Sequence, residues 1–229
     1  MSARLLAAFA LAVSPAAAHA GDDVQIWASA IAQGPVETGS RVKPMLWLEV
    51  QSRFANDVSQ LGTFILRPGV GLRFGPDLHI IFGYQFQQNS PLNGRETSEH
   101  RMWEQVTVPL YRDPERLILL ARLRLEQRST VGAQDLGWRG RAMLRAQIPL
   151  NGRGSAGPLL WSEAFVGFND TDWGQRSGLR QVRAFAGGLI PLGKRLNFEA
   201  GYMARFDRGP GNDHVSHVAN LALNYRLGN

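Results

Sequence analysis

A short motif near the C-terminus contains the residue types of a hydrolytic site. In Asp213-His214-Val215-Ser216-His217, His214 and Ser216 stand two positions apart and would share one face of an extended strand. Histidine can serve as the base that activates a serine hydroxyl, with a carboxylate orienting the imidazole ring. The same residue types are also ordinary at the polar end of a strand beside a loop, and we favour that interpretation. We therefore predict no catalytic residue here and no enzymatic activity.

The sequence does not indicate a metal or phosphate site. His214 and His217 fall on opposite faces of an extended strand, and Asp170-Thr171-Asp172 lacks the glycine and terminal glutamate of a calcium loop. Cysteine is absent, which excludes thiolate ligands and disulfide bonds. No helix is indicated after the closely spaced glycines, so we interpret them as relief of crowding in a curved sheet, at Gly69, Gly71, Gly187 and Gly188. We predict neither a metal nor a cofactor.

Arginine supplies most of the charge of this chain. Its 229 residues include 25 Lys and Arg against 19 Asp and Glu, for a formal net charge of +6, and the lysines are Lys43 and Lys194. An isoelectric point near 10.4 is compatible with a nucleic-acid partner. The N-terminus argues against that interpretation, because it has the features of an export signal. We predict no nucleic-acid partner.

The first twenty residues have the three parts of a signal peptide. Arg4 gives a positive start, an apolar run covers residues 5–13, and Ala18-His19-Ala20 is a small-residue ending of the type that precedes cleavage. The apolar run is too short for a membrane-spanning helix, which needs about 20 residues. We predict a signal peptide over 1–20, cleavage after Ala20, and a single domain over 21–229.

The rest of the chain repeats one pattern. Apolar residues alternate with polar or small ones over roughly ten to fifteen positions, and a turn rich in Gly, Pro, Asn and Asp follows. No later stretch is long and apolar enough to form a membrane-spanning helix. The pattern predicts strands at 23–33, 42–54, 61–74, 78–88, 100–111, 116–128, 138–150, 159–169, 179–192, 196–207 and 214–227.

The length of these strands favours a membrane. They exceed the roughly five or six residues typical of soluble sheets and match the roughly 9–11 tilted residues that cross a bilayer. Aromatic residues near their ends are candidates for interfacial girdles. These are Phe54, Phe74, Phe86, Tyr111, Trp138, Trp161, Phe168, Phe206 and Tyr225.

Alternate positions of the strands separate two kinds of side chain. In 61–74, one face carries Phe64, Leu66 and Leu72, and the other carries polar or small residues such as Arg67. The second face is rich in arginine and glutamate along most of the chain, and we predict that it lines a barrel lumen as a charge network. Its members are Glu49, Arg53, Arg67, Arg73, Arg101, Arg122, Arg124, Glu126, Arg128, Arg139, Arg141, Arg145, Glu163, Arg183, Glu199 and Arg205.

Two interpretations of this lumen remain open. An arginine-lined bore would concentrate anions and could act as a narrow, anion-preferring passage. Alternatively, Arg–Glu ladders fill the bore, because barrels of roughly eight to ten strands have interiors just wide enough for side chains. We favour filling, since guanidinium groups bridge carboxylates bidentately and stay charged when partly buried.

The predicted fold class is all-β, an antiparallel up-and-down transmembrane β-barrel of about 10–12 strands. Short connections such as 75–77 alternate with longer ones such as 89–99 and 170–178, as expected for periplasmic turns and external loops. Bacterial single-chain barrels have even strand numbers. We therefore expect either that the additional segment 23–33 lies inside or below the barrel, or that the sequence contains one further strand that the pattern does not identify.

Several stretches resemble a known family, the bacterial outer-membrane proteins grouped as domain of unknown function 2490. They are Val24-Gln25-Ile26-Trp27, Glu99-His100-Arg101-Met102-Trp103-Glu104-Gln105, Arg122-Leu123-Arg124-Leu125-Glu126-Gln127-Arg128 and Asp213-His214-Val215. The resemblance covers nearly the whole mature chain. It implies an outer-membrane barrel without a settled activity. The chain departs from many such barrels at its C-terminus, where Tyr225-Arg226-Leu227-Gly228-Asn229 does not end on an aromatic residue.

Together these features predict an integral barrel in the outer membrane of a Gram-negative bacterium, with a structural role or a narrow, porin-like permeation role. Its expected partners are outer-membrane lipids, lipopolysaccharide and the barrel-assembly machinery, and we expect a monomer. One alternative is an outer-membrane lipid hydrolase that uses His214 and Ser216. A second alternative is a soluble periplasmic β-barrel that binds an apolar ligand, in which the two faces of the strands would be reversed.

Overall fold

The computed structural model describes residues 23–75, 78–209 and 213–228, and the predicted signal peptide lies outside these ranges. Within them, no helix is long and apolar enough to cross a membrane. All eleven predicted strand segments are confirmed, with small shifts at their ends. The strands are β1 (Asp23–Pro35), β2 (Val42–Ala55), β3 (Gln60–Phe74), β4 (Leu78–Asn89), β5 (Thr97–Asp113), β6 (Leu117–Thr130), β7 (Gly137–Gln147), β8 (Gly157–Gly167), β9 (Gly178–Pro191), β10 (Leu196–Asp207) and β11 (His214–Arg226).

The strands form one closed barrel in which each consecutive pair is antiparallel. The barrel closes between β1 and β11, which pair in parallel from Asp23↔Ser216 to Gln33↔Arg226. Both expectations for the segment 23–33 are therefore wrong, because it is a wall strand and no twelfth strand is present in the described ranges. A chain that reverses direction at every turn can close an odd number of strands only through one parallel pair.

The odd strand number places the two chain termini at opposite ends of the barrel. We call the end where β1 begins the N-terminal mouth and the end where β11 finishes the C-terminal mouth. Longer connections such as 90–96 and 168–177 lie at the N-terminal mouth. The predicted alternation of short and long connections is not strict, since 56–59 at the N-terminal mouth is short and 148–156 at the C-terminal mouth is long.

The two faces of the wall differ sharply in chemistry. Outward positions in the middle of the strands are large and apolar, and Val70, Phe82 and Leu123 are each more than half exposed. Inward positions hold the charged side chains together with two apolar clusters. One cluster contains Trp27, Leu159, Phe185, Leu189, Met203 and Val218, and the other contains Met45, Trp47, Ile81 and Trp103. The interior is thus filled by aromatic, aliphatic and charged residues together.

Paired glycines make room for two of these inward aromatic rings. Gly69 and Gly83 are register partners on β3 and β4, and a Cβ on Gly83 would lie 2.3 Å from the Trp103 ring. The expected relief of crowding at Gly69 is thus observed. Gly187 and Gly201 pair in the same way beneath Phe185. Ring-over-glycine packing covers backbone that has no side chain of its own and fixes strand register.

The parallel closure can be tested with cysteine pairs, because the chain has no native cysteine. Ser29 and Ala222 are register partners across the β1–β11 seam, so Ser29→Cys with Ala222→Cys should form a disulfide under mild oxidation. The bond would join nearly the whole chain into a ring and speed migration of the denatured protein in a non-reducing gel. Ser29→Cys with Leu221→Cys places the two thiols on opposite faces and should not cross-link. Equal cross-linking of both variants would contradict the register.

Candidate functional site

The structure places all sixteen side chains of the predicted charge network on the inward face of the barrel. Most of them meet in its central section, where Glu126 and Arg124 are buried. Arg73 lies apart, near the C-terminal mouth, where its Nε donates to the Gly75 carbonyl oxygen at 2.8 Å. The parity of the strands positions this set, since each member occupies an alternate residue of an extended segment.

Glu126 on β6 is the most enclosed carboxylate, with 0 % of its surface exposed. Arg139 and Arg141 on β7 both donate to it, Arg141 through Nη1 at 2.8 Å. Two further guanidinium groups lie just beyond hydrogen-bond distance, with Arg101 Nη1 at 3.8 Å and Arg124 Nη1 at 3.9 Å from the nearer carboxylate oxygen. One buried negative charge therefore holds four arginines together.

Two more glutamates extend this network in opposite directions. Toward the C-terminal mouth, Glu163 accepts two hydrogen bonds at 3.0 Å from Arg141 and one at 2.9 Å from Arg122. Toward the N-terminal mouth, Glu99 accepts bidentate hydrogen bonds from both Arg101 and Arg128, at 2.6–3.1 Å. Arg141 thus bridges Glu126 and Glu163.

Smaller pairs complete the interior. Arg67 is held between Glu49 and Gln85, whose Oε1 accepts from Arg67 Nε at 2.8 Å. Arg145 makes a bidentate pair with Glu199 at 2.6 and 3.1 Å. Near the N-terminal mouth, Arg205 Nε lies 2.7 Å from a carboxylate oxygen of Asp207. The remaining charged members are Arg53 and Arg183. Neither forms an ion pair with a carboxylate in the described ranges.

Arg53 and Arg183 both lie over the indole of Trp27. Their Cζ atoms are 3.8 Å and 4.7 Å from the centroid of that ring, and Arg183 also lies 4.3 Å from the Phe165 ring. Arg53 donates to Gln51 at 2.7 and 2.9 Å. A cation over an aromatic face is stabilised by the ring quadrupole, by about 0.5–2 kcal/mol. This attraction is weaker than the ion pairs that the neighbouring arginines make.

One loop covers the part of the N-terminal mouth next to β6. In the β8–β9 connection, Trp173 lies beneath Arg128, whose Cζ is 4.9 Å from the ring centroid, and Gln175 accepts from Arg128 Nη1 at 2.9 Å. Asp172 links this connection to the β6–β7 connection, because its carboxylate accepts a hydrogen bond from the backbone N–H of Gln134 at 2.9 Å. The β8–β9 connection therefore packs against the charge network from the N-terminal side.

Asp170 stabilises the covering loop from its exposed side. The backbone N–H of Ser177 donates to its carboxylate at 2.7 Å, and Arg176 Nη1 donates at 3.2 Å. The Ser177 hydrogen bond lowers the pKa of Asp170 below its ordinary value, with help from Arg176. A lowered pKa means that this contribution is present at neutral pH and is lost as the pH falls through the pKa of the folded state.

The C-terminal mouth opens into a cavity of about 520 Å³, which we call the vestibule. Its roof is the network itself, through Arg122, Arg124, Arg141 and Glu163. Its walls carry apolar side chains toward the mouth, including Ile31, Met45, Trp47, Leu120, Met143, Trp161 and Leu189. Trp161 was expected in an outer girdle, and that expectation is wrong. Its ring stacks on Phe185 inside the barrel, with centroids 5.1 Å apart.

His214 and Ser216 lie on the inward face near the N-terminal mouth, and Ser216 is buried. Their register partners on β10 are Asp207 and Arg205. The structure records no hydrogen bond between His214 and Ser216 within the described ranges. His217 points outward instead, and its Nδ1 lies 2.7 Å from the hydroxyl oxygen of Tyr202. The described ranges also contain no group of three His, Asp or Glu side chains arranged to hold a metal ion.

Sequence reasoning missed the uncharged members of the interior. Gln105 accepts two hydrogen bonds from Arg124, at 2.6 and 3.0 Å, and Gln175 anchors the covering loop. Trp27 was noted only as part of a motif, although two guanidinium groups lie over it. For Gln105 and Trp27, strand parity was the available signal, since both occupy inward positions.

Comparison with known proteins gives a family match and one relative. The model of a family described as "Protein of unknown function (DUF2490)" matches residues 24–216. An uncharacterised protein of Methylorubrum extorquens is 32% identical over 223 residues, which cover 96% of this chain and 95% of that protein. No solved structure matches.

The central network gives a stability prediction. Glu126→Gln removes the negative charge shared by four arginines, and losing one partner of a buried ion pair costs about 3–5 kcal/mol of the free energy of unfolding. Denaturant unfolding of the refolded protein in detergent, followed by tryptophan fluorescence, should show a loss of this size. Glu96→Gln, in an exposed connection, is the matched control and should change stability by less than about 0.5 kcal/mol. Similar effects of both substitutions would mean that the network contributes no special stability.

Proposed function

The chain belongs to the DUF2490 family of proteins of unknown function, and we propose that it is an integral β-barrel of a bacterial outer membrane, closed internally by its own Arg–Glu network. This proposal combines two statements, one about the outer surface and one about the bore. Each has its own supporting observation and its own experiment.

The observation that carries the membrane proposal is the apolar band on the outer wall. Large apolar side chains are exposed on β2 to β7 and again on β9 to β11. A soluble barrel would place such residues inside and charged residues outside. In lipid the same arrangement is favourable, because the closed sheet pairs the backbone groups of the wall and mostly apolar side chains meet the hydrocarbon. The soluble apolar-ligand binder needs the opposite arrangement of faces.

Aromatic residues at the two edges of the band support the same proposal. Phe54, Phe86, Trp138, Phe168 and Phe206 lie toward the N-terminal mouth, and Phe74, Tyr111 and Tyr225 lie toward the C-terminal mouth. Aromatic rows at both interfaces are typical of outer-membrane barrels. We place the longer connections of the N-terminal mouth outside the cell, and we propose membrane phospholipid, lipopolysaccharide and the assembly machinery as the partners of a monomeric barrel.

Glu104 on β5 alternates with the inward residues Trp103 and Gln105, so its carboxylate lies on the outer wall among apolar neighbours. It accepts hydrogen bonds from Gln127 Nε2 at 3.0 and 3.2 Å on the adjacent strand. This pairing reduces the cost of a carboxylate facing lipid, which is about 2–4 kcal/mol for an unpaired Arg or Lys at the bilayer centre and less for Glu. Glu104 is therefore compatible with a membrane-facing wall.

The filled central section supports a barrel that does not conduct in this conformation. Gln85, Trp103, Glu126 and Arg101 are all buried there, so side chains occupy this part of the bore. A narrow anion-preferring passage is the second candidate, because inward arginines outnumber inward carboxylates and a rearranged network would select anions. We propose no hydrolytic role for His214 and Ser216, since the two side chains form no hydrogen bond with each other.

The topology predicts that β1 begins at the same side of the membrane as the longer connections. Single cysteines at Asp22, Glu96 and Lys194 can be labelled in intact cells with a membrane-impermeant maleimide, without interference from native thiols. Asp22→Cys precedes β1 and should label together with Glu96→Cys in the β4–β5 connection. Lys194→Cys, in the β9–β10 connection, should label only after the outer membrane is permeabilised. In a barrel with an even number of strands, both ends of the chain lie at the same mouth. Asp22→Cys would then label only after permeabilisation, as expected for Lys194→Cys.

Conductance tests the closed bore. Refolded protein in a planar bilayer should give no discrete current steps, whereas Arg101→Ala/Glu126→Ala/Arg139→Ala, which removes three filling side chains, should give small anion-preferring steps. Heat-modifiable gel migration checks that each sample is folded. Asp170→Ala/Arg176→Ala changes an exposed loop pair and should remain silent. Steady steps from the unsubstituted protein would favour the passage instead.

A further inference from the structure

We infer that the vestibule is a binding site for an organic oxyanion, a molecule with a phosphate, sulfonate or carboxylate group attached to an apolar or aromatic body. This inference goes beyond the proposed membrane location, since it concerns only the inner surface of the barrel. It rests on the charge of the walls, on the hydrogen-bonding character of the groups that lack partners, and on the shape of the cavity.

The walls of the vestibule carry a large excess of positive charge. Its lining includes ten arginines and three glutamates. Four of these arginines, Arg53, Arg73, Arg183 and Arg226, form no ion pair with any described carboxylate. Arg53 and Arg183 lie deepest, over Trp27, and Arg73 and Arg226 lie at the mouth. Arg53 and Arg183 are enclosed without a contacting carboxylate, although Glu163 and Asp207 lie near Arg183, so an anion in the vestibule would stabilise both guanidinium groups.

The polar groups without partners point to the same class of ligand. Six buried side-chain nitrogens in the described ranges form no hydrogen bond, and every one of them is a donor, although one, Arg205 Nε, makes an ion pair with Asp207. Four belong to residues that line the vestibule, namely Trp47, Arg124, Arg183 and Asn224. No buried side-chain oxygen in these ranges is left without a donor. The interior therefore has too many donors, and a ligand rich in acceptors would balance it.

The size and the apolar walls argue for more than a simple ion. A volume of about 520 Å³ lies within the range of small-molecule pockets, roughly 300–1,000 Å³. Between the charged roof and the mouth, the walls are lined by Trp47, Trp161, Met143, Leu120 and Leu189. Such surfaces bury apolar or aromatic groups of a ligand, while guanidinium groups bind its oxyanion. The C-terminal mouth is the open entrance.

The full-length refolded protein in an uncharged detergent can test this inference by calorimetric titration with three probes. They are inorganic phosphate, phenyl phosphate and a short-chain phosphatidic acid. Phenyl phosphate should bind at least about tenfold more tightly than inorganic phosphate, because its ring is buried against the apolar walls. Tighter binding of phosphatidic acid than of phenyl phosphate would identify a lipid as the source of the oxyanion, and the reverse order a soluble metabolite. Equal affinity for all three, or binding of none, would overturn the inference.

Two matched substitutions separate binding from stability. Arg183→Met removes an arginine without a carboxylate partner, so it should weaken phenyl phosphate binding at least about tenfold while leaving the unfolding temperature of the empty protein unchanged or higher. Arg128→Met removes an arginine that is paired with Glu99 and lies outside the vestibule lining. It should lower the unfolding temperature and leave the affinity within about twofold. A lower unfolding temperature for Arg183→Met with unchanged affinity would assign Arg183 a purely structural role and overturn the inference.

Discussion

The charged side chains inside this barrel need partners of opposite charge across the bore, and much of the interior follows from that constraint. Eleven strands lie between the roughly eight whose bore side chains just fill and the roughly sixteen that enclose an aqueous channel, and here inward side chains meet across the bore. Glu126, with four arginines around it, sets the centre of this arrangement. Glu99 and Glu163 then extend it toward the two mouths, and apolar clusters occupy the remaining space.

Charge balance is achieved in the central network and is incomplete around Trp27 and at the C-terminal mouth. In the centre, each arginine reaches a carboxylate or a glutamine oxygen, as Arg124 does with Gln105. Around Trp27, Arg205 pairs with Asp207, whereas Arg53 and Arg183 contact aromatic faces and a glutamine and form no ion pair in the described ranges. Buried ion pairs contribute little net stability when compared with apolar packing. The network is therefore better understood as an arrangement that fills the central bore and shapes the vestibule than as the main source of stability.

The sequence predicted the wall of the barrel well, because strand parity is a local property. Alternation identified all eleven strands and placed each charged residue of the network on the inward face. Trp161 shows how the same rule can be overlooked: it shares parity with Glu163, so it faces inward, although its place near a strand end had suggested an interfacial aromatic residue. The role of 23–33 could not be predicted, since its partner β11 lies at the other end of the sequence. The vestibule also depends on distances between side chains of many strands, which no local pattern contains.

The parallel seam between β1 and β11 also determines when the barrel can be completed. Asp23 pairs with Ser216, so the first and last strands must come together after nearly the entire chain is available. Every other wall contact joins strands that are neighbours in sequence and can form as hairpins, at a small loss of chain entropy. Closure is thus the step of highest contact order, and the slanted hydrogen bonds of a parallel pair are slightly weaker than those elsewhere in the wall. We expect the β1–β11 pairing to form last during folding and to open first when the barrel unfolds.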